Sequence, residues 1–187
     1  MGKQGFSRRR RGVRLTLGAA EAGLLDNLLG QLLELLEPEG ADALESDDPL
    51  AEMVGIGTAT QAPDDPALAR LLPDAYRDDA EAAAEFRRYT EVGLREQKLA
   101  QAAAARRTLS DPALADGVTL TAEDADAWLR TLNDIRLTLG TRLDVTEDYQ
   151  AEQELLGSLP PDDPRLFLHD VYDWLGYLQS TLLHALG

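Results

Sequence analysis

The stretch AAEAGLLDNLLGQLLELLE, from Ala19 to Glu37, decides the fold class. Its leucines recur at intervals of three and four residues, which is the spacing of an apolar helix face. Pro38 follows at once and cannot continue the helix, so the sequence predicts one helix over Ala19–Glu37. Because so many leucines need several neighbours to cover them, this stretch favours a bundle of helices.

Four more helices are expected further along the chain. A short one covers Pro66–Leu72, and a long one runs from about Asp79 to Leu109. A third follows the sequence TAED at Thr121, which resembles a capping box, and the last runs from Arg165 to about Ala185. The stripe expected on the long helix is Ala82, Phe86, Tyr89, Gly93, Gln97, Ala100 and Ala104. The buried row expected on the last helix is Phe167, Val171, Trp174, Leu178 and Leu182, with Leu175 beside it.

The N-terminal residues follow the period of a strand instead. Val13 and Leu15 alternate with polar neighbours, which is typical of a half-buried strand. We therefore predict a short β-hairpin over Gly5–Leu17 with its turn near Arg11, and Gly117–Leu120 could pair with it.

These patterns predict a mainly α fold. We expect a helical bundle of about four main helices with a small N-terminal β-hairpin, in a single domain over residues 1–187. Residues 1–18 form the basic hairpin segment. Residues 37–66 and 144–164 are acidic connectors, which we expect to be mobile because they are rich in Asp, Glu and Pro.

The charge is divided unevenly along the chain. Lys and Arg number 18 and Asp and Glu 34, for a formal net charge of −16, yet no acid occurs before Arg14. Because the acidic remainder repels polyphosphate, nucleic acid could be met only through the N-terminal arginines. Arginine forks bind phosphate well, but a run like this is also typical of a solvated hairpin end. The candidate nucleic-acid contacts are Arg8, Arg9, Arg10, Arg11 and Arg14.

The composition excludes several classes of site. The chain has no cysteine, which rules out disulfides, thiolate metal sites and cysteine nucleophiles. Neither histidine has metal-ligand spacing: we expect His169 at the surface beside helix acids and His184 near a helix C-terminus. No phosphate-binding loop, dinucleotide fingerprint or nucleophile elbow occurs. We therefore expect no cofactor, no metal and no catalytic site.

Two other groups of residues are interpreted as structural. Trp128 and Trp174 lie on the apolar stripes of their helices, which favours core packing over a platform for bases. A polar cluster could form an intramolecular network in which an aspartate pairs with Arg136 or Arg142 and fixes helix register. The members of this cluster are Asn133, Asp134, Arg136, Arg142 and Asp173.

The ends and the hydropathy suggest a location. No apolar run reaches about eighteen residues, and no apolar stretch follows the basic N-terminus. We therefore expect a cytoplasmic protein with no membrane partner.

Four blocks of sequence are distinctive: DPALARLLPDAY over Asp65–Tyr76, AAEFRRYT over Ala83–Thr90, WLRTLNDIRLTLGTRL over Trp128–Leu143 and VYDWL over Val171–Leu175. With the basic N-terminus, they resemble an actinobacterial family long classed as a domain of unknown function. Some of its members are named oxidative-stress transcriptional regulators (AosR-like). The resemblance spans nearly the whole chain outside the two connectors, and it implies a small, mostly helical, cytoplasmic protein.

The resemblance also implies a role. Some family members are described as acting on transcription with an alternative sigma factor and as sensing oxidants through a close cysteine pair, which this chain lacks. We expect a non-enzymatic, transcription-associated regulator that contacts RNA polymerase or a sigma factor, with DNA contact by the basic N-terminus. Because the genes of the family tend to lie beside that of the Clp adaptor ClpS, the alternative is an interaction module of Clp-dependent proteolysis, with the Clp adaptor or protease as partner. We also expect a homodimer.

Overall fold

The computed structural model describes residues 4–10, 12–37, 60–76, 78–146 and 148–187, without the side chains of residues 149–153. The described residues form three strands and six helices. The elements are β1 Gly5–Arg9, β2 Gly12–Thr16, α1 Ala19–Leu36, α2 Pro66–Leu71, α3 Ala80–Leu109, β3 Val118–Leu120, α4 Ala122–Arg142, α5 Tyr149–Ser158 and α6 Pro164–Leu186. Four helices are long, with 18, 30, 21 and 23 residues, and the predicted mainly α fold is confirmed.

The strands form one antiparallel sheet in the order β1-β2-β3. Phe6 pairs with Leu15, and Val13 pairs with Leu120, so the predicted hairpin and its third strand are both confirmed. The sheet packs on α6 through β1. There the amide N–H of Phe6 donates to the Thr181 hydroxyl at 3.2 Å. Arg11 and residues 38–59, on which part of the hairpin turn and most of the first connector were predicted, lie outside the described residues.

The central helix of the bundle is α4, which contacts α1, α2, α3 and α6. Trp128 is completely buried on it, and its ring meets Phe6 edge to face with centroids 5.7 Å apart. Its indole N–H donates to the Thr108 hydroxyl at 2.8 Å, which satisfies the polar atom inside the core. Thr121 caps the N-terminal end of this helix, and its side chain and Asp124 form the predicted capping box. Core packing of the two tryptophans is confirmed, with Trp174 half-buried against the core.

Two expectations about the C-terminal part are wrong. Phe167 is 60% exposed, and His169 is buried. Helical periodicity predicts which face of α6 points inward. It does not predict where along the helix the other elements begin to cover that face, which here is at His169. Residues 144–164 also contain helix α5, because Ala, Glu, Gln and Leu favour a helix even within an acidic stretch.

Candidate interaction surface

The N-terminal part of α3 buries charge and exposes aromatic rings. Arg87, Glu91 and Arg95 are buried, whereas Phe86 is 44% and Tyr89 54% exposed. The predicted stripe is therefore wrong along most of the helix, since Gly93, Gln97 and Ala100 are exposed as well. The reason is that the buried charges have dedicated partners, which an apolar pattern does not report.

We call Asp74, Arg87, Glu91 and Arg95 the ion ladder. Glu91 accepts a hydrogen bond from Arg87 at 2.5 Å on one carboxylate oxygen and from Arg95 at 2.7 Å on the other. Arg87 also donates to Asp74 at 2.5 Å. Burial alone would lower the pKa of Arg87, but its bonds to Glu91 and Asp74 outweigh burial and raise it. Arg87 therefore stays charged inside the protein.

The ladder also holds the ends of two helices. Arg95 donates to the carbonyl oxygen of Leu36, the last residue of α1, at 2.9 Å. Arg87 donates to the carbonyl oxygen of Leu72, the C-cap of α2, at 3.1 Å. A cation at a helix C-terminus complements the helix dipole and satisfies a carbonyl that the helix leaves unpaired. The arginines thus fix the C-terminal ends of α1 and α2 on α3.

The exposed rings form an aromatic patch of Tyr76, Phe86 and Tyr89. The rings of Tyr76 and Phe86 meet edge to face at 5.9 Å, although both residues face solvent. Beside the patch, a cavity of about 20 Å³ has Phe86, Arg87 and Asp74 among its lining residues. Residues of the ion ladder therefore lie directly beside Phe86 of the patch. The first turns of α3 and the residues before it carry exposed acids, namely Asp78, Asp79, Glu81 and Glu85.

A groove of about 490 Å³ lies further along α3 and shares Leu94 with this cavity. Phe86, Thr90, Leu94 and Gln101 lie on one helix face and span about 22 Å at 1.5 Å per residue. Helices α4 and α6 form the other walls of this open groove. We call the patch and this groove together the interaction groove. The residues that line the groove part are Leu94, Gln97, Lys98, Gln101, Asp126, Leu129, Arg130, Asn133, Asp134, Gln179 and Leu183.

One ion pair in the groove joins α3 to α4. Lys98 Nζ lies 2.7 Å from Asp134 Oδ1, and the Asp134 side chain is almost completely buried. Burial raises the pKa of Asp134, and the hydrogen bond from Lys98 offsets this effect only in part. The pair therefore carries a desolvation cost within a surface that faces solvent.

The pairs expected within the polar cluster are wrong. Asp134 pairs with Lys98, Arg142 pairs with Asp65 at 2.6 Å, and Arg136 donates to Gln179 at 2.7 Å. Two residues along a helix correspond to about 200° of rotation, so Arg136 faces away from Asp134. The remaining members are both exposed. Asn133 lines the groove, and Asp173 makes no ion pair with any residue the structure describes.

The N-terminal arginines lie at the end of the hairpin. Arg8, Arg9 and Arg10 are exposed, and Arg11 lies outside the described residues. Arg14 instead crosses the sheet and donates to the carbonyl oxygen of Asp116. A side chain at Gly117 would collide with Arg14, and the φ of +106° at this position also requires glycine. Arg14 is thus held by the fold, and phosphate contact by the other arginines stays a prediction.

Two kinds of feature are not found among the described residues. Within the ranges given above, no group of three or more His, Asp or Glu is placed to hold a metal ion. No helix in the same part of the chain is long and apolar enough to cross a membrane.

Sequence reasoning missed Arg87, Glu91 and Arg95 as a functional unit. Their spacing of four residues places them on one helix face, and alternating charges at this spacing can form a ladder. The spacing was the available signal. It does not distinguish a solvated ladder from a buried one, because burial depends on Leu36 and Leu72, which are distant in sequence.

Comparison with known proteins agrees with the four sequence blocks. The model of a domain of unknown function, DUF2017, matches residues 3–186. The oxidative stress regulator AosR of Mycobacterium tuberculosis is 34% identical over 185 residues, which cover 92% of this chain and 81% of that protein. The putative oxidative stress regulator AosR of Mycobacterium leprae is 35% identical over 182 residues, which cover 89% of this chain and 78% of that protein. No solved structure matches the chain.

Proposed function

Because the chain belongs to the DUF2017 family, whose mycobacterial relatives are named oxidative stress regulators, we propose that it is a non-enzymatic regulator of transcription that acts through protein contacts. Its partner is RNA polymerase or a sigma factor. The observation that carries this proposal is the exposed aromatic patch above a buried ion ladder. Tyr76, Phe86 and Tyr89 are each about half exposed, and a group of exposed aromatic rings is typical of a protein interaction site.

The interaction groove has the properties of a contact surface. Tyrosine, phenylalanine and arginine are enriched where proteins bind one another, and buried aromatic anchors contribute most to affinity. The face of α3 from Phe86 to Gln101, about 22 Å long, also fits a partner helix of about four turns. Exposed acids beside the patch and the net charge of −16 favour a basic face on that partner.

The means of sensing differs from a thiol switch. With no cysteine in the chain, no disulfide can form within it or with a partner. The regulator therefore responds through its partner or through a ligand. The DNA contact expected from Arg8 to Arg11 would assist the protein contacts, since the acidic body itself repels DNA.

The first test is direct binding. Purified RNA polymerase core enzyme and individual sigma factors would be titrated against the wild-type chain and against a Phe86→Ala, Tyr89→Ala double variant. Losing two aromatic anchors is expected to weaken binding at least tenfold. Phe167→Ala is the matched control, because Phe167 is an exposed ring outside the interaction groove. Circular dichroism would check that each variant folds.

A pull-down from native lysate at low and moderate salt separates the two candidate partners. Polymerase or sigma subunits recovered by the wild type and by Phe167→Ala, but not by the double variant, would support the proposal. Clp components recovered without polymerase would replace it with the proteolysis alternative. Equal loss of binding in the control and the double variant would refute the assignment to the interaction groove.

A further inference from the structure

A second cleft lies apart from the interaction groove. It has a volume of about 400 Å³ and opens between α2, the C-terminal part of α4 and α6. It shares no lining residue with the groove. A cavity of about 150 Å³ accommodates benzene, so this cleft has room for a small organic molecule.

Two arginines line this cleft without a carboxylate partner. Arg70 of α2 and Arg136 of α4 make no ion pair with the residues that the structure describes. Arg87, Arg95 and Arg142, by contrast, each have a carboxylate within 3 Å.

The guanidinium of Arg136 is held in one orientation. Its central carbon lies 4.8 Å from the centroid of the Tyr172 ring, and one terminal N–H group donates to Gln179 at 2.7 Å. The ring and this hydrogen bond fix the guanidinium at the edge of the cleft.

Tyr172 is positioned by a close approach to α4. A side chain at Gly140 would begin 3.1 Å from the ring, so the absence of a Cβ there allows the ring to lie against the helix. Leu137 and Val145 add apolar surface, and Thr141 uses its hydroxyl hydrogen on the carbonyl of Leu137. The cleft thus offers cationic donors beside a flat apolar wall.

We propose that this cleft binds a small organic anion. Carboxylate or phosphate oxygens are held by Arg70 and Arg136, and an apolar or aromatic body packs beside Tyr172 and Leu137. Among the described lining residues Asp144, which is exposed, is the acid, so these residues carry a net positive charge with the two arginines. Planar guanidinium groups recognise both kinds of anionic head in the same way.

The test is a titration followed by two-dimensional NMR at constant ionic strength. Phenyl phosphate and benzoate are the anionic probes, which distinguish a phosphate from a carboxylate head. Benzamide is the neutral probe of the same shape, and inorganic phosphate lacks the apolar body. We expect saturable shifts of the Gly140 and Val145 amides with an anionic aromatic probe, and much weaker shifts with benzamide.

Variants locate the site. Arg70→Gln changes an exposed side chain of α2, so it leaves the core intact, and it is expected to weaken binding roughly tenfold by removing a charge-assisted hydrogen bond. Arg136→Gln is expected to weaken binding at least as much. Arg107→Gln is the matched control, because Arg107 is an exposed arginine of α3 outside the cleft.

Three results would overturn the proposal. One is the absence of saturable shifts at millimolar concentrations of both anionic probes. Another is binding of benzamide as tight as that of benzoate, which would remove the role of the arginines. The third is equal weakening by Arg70→Gln and Arg107→Gln, which would reduce the effect to net charge. None of these measurements uses the protein partner, so they are independent of the proposed function.

Discussion

The two halves of α3 are buried by opposite chemistry. Towards the N-terminal end, the inner face after the buried Ala83 consists of Arg87, Glu91 and Arg95, whereas towards the C-terminal end it consists of the fully buried Ala102 and Ala105. The difference follows from what each half meets. The first half meets the carbonyl ends of α1 and α2, which only donors can satisfy. The second half meets the sides of α1 and α4, where small residues allow close approach.

This contrast shows that a buried face need not be apolar. Where helix ends converge, unpaired carbonyls lie inside the protein, and an arginine that binds them is more useful than a leucine. The aromatic residues of the same turns are then free to face solvent. The buried ladder and the exposed patch are therefore two consequences of one arrangement.

Removing Glu91 tests the first half and has the largest expected effect. Glu91→Ala would leave Arg87 and Arg95 without their shared carboxylate, and removal of one member of a buried ionic network costs about 3–5 kcal/mol. Urea unfolding would measure the loss of stability. The control is Asp26→Asn, which breaks the exposed pair between Asp26 and Arg106 and should cost far less. Equal losses would mean that the ladder behaves as a surface pair.

Enlarging Ala102 tests the second half. Ala102→Leu adds three carbons at a fully buried position, and overpacking of this kind costs about 1–3 kcal/mol. Thermal unfolding would measure the change. Ala100→Leu is the matched control, because Ala100 is exposed on the same helix. If both variants were equally stable, the close packing of α3 against its neighbours would be contradicted.

The same contrast explains which features of the fold could be predicted from the sequence. The leucine spacing of α1, the stop at Pro38 and the capping box at Thr121 predicted helix bounds to within one or two residues, since these signals are local. The alternation at Val13 and Leu15 predicted the hairpin for the same reason.

The candidate site could not be predicted in this way. Whether Arg87 is buried depends on Leu72 and Asp74, and whether Asp134 pairs with Lys98 or Arg136 depends on how α3 and α4 pack. An interpretation based on helical periodicity assumes that charged side chains face solvent. It therefore predicted that Phe86 is buried and Arg87 exposed. Contacts between segments that are distant in sequence determine whether these side chains are buried. A local pattern in one sequence does not reveal such contacts.

Lys98 lies between the charged and the alanine-lined parts of α3 and pairs with Asp134 of α4. Replacing Asp134 is expected to have the smallest effect on stability among these variants. The folded pKa of Asp134 is raised by burial, so the folded protein holds this proton more tightly than the unfolded chain. The resulting stability is fully present below the unfolded pKa of about 3.9 and is lost as the pH rises through the folded pKa. Relative to Asp134→Asn, the wild type is therefore expected to lose stability as the pH rises above about 4.

Asp163 is the matched control, because its pKa shifts in the opposite direction. Hydrogen bonds from the Arg165 side chain and backbone lower the pKa of Asp163 to about 2. The stability that Asp163 contributes is therefore present above its unfolded pKa and is lost as the pH falls towards about 2. Urea unfolding of Asp134→Asn above about pH 4 and of Asp163→Asn below it, each compared with the wild type, should give pH dependences of opposite sign. The same sign in both would mean that burial does not dominate at Asp134 and that its bond to Lys98 outweighs desolvation.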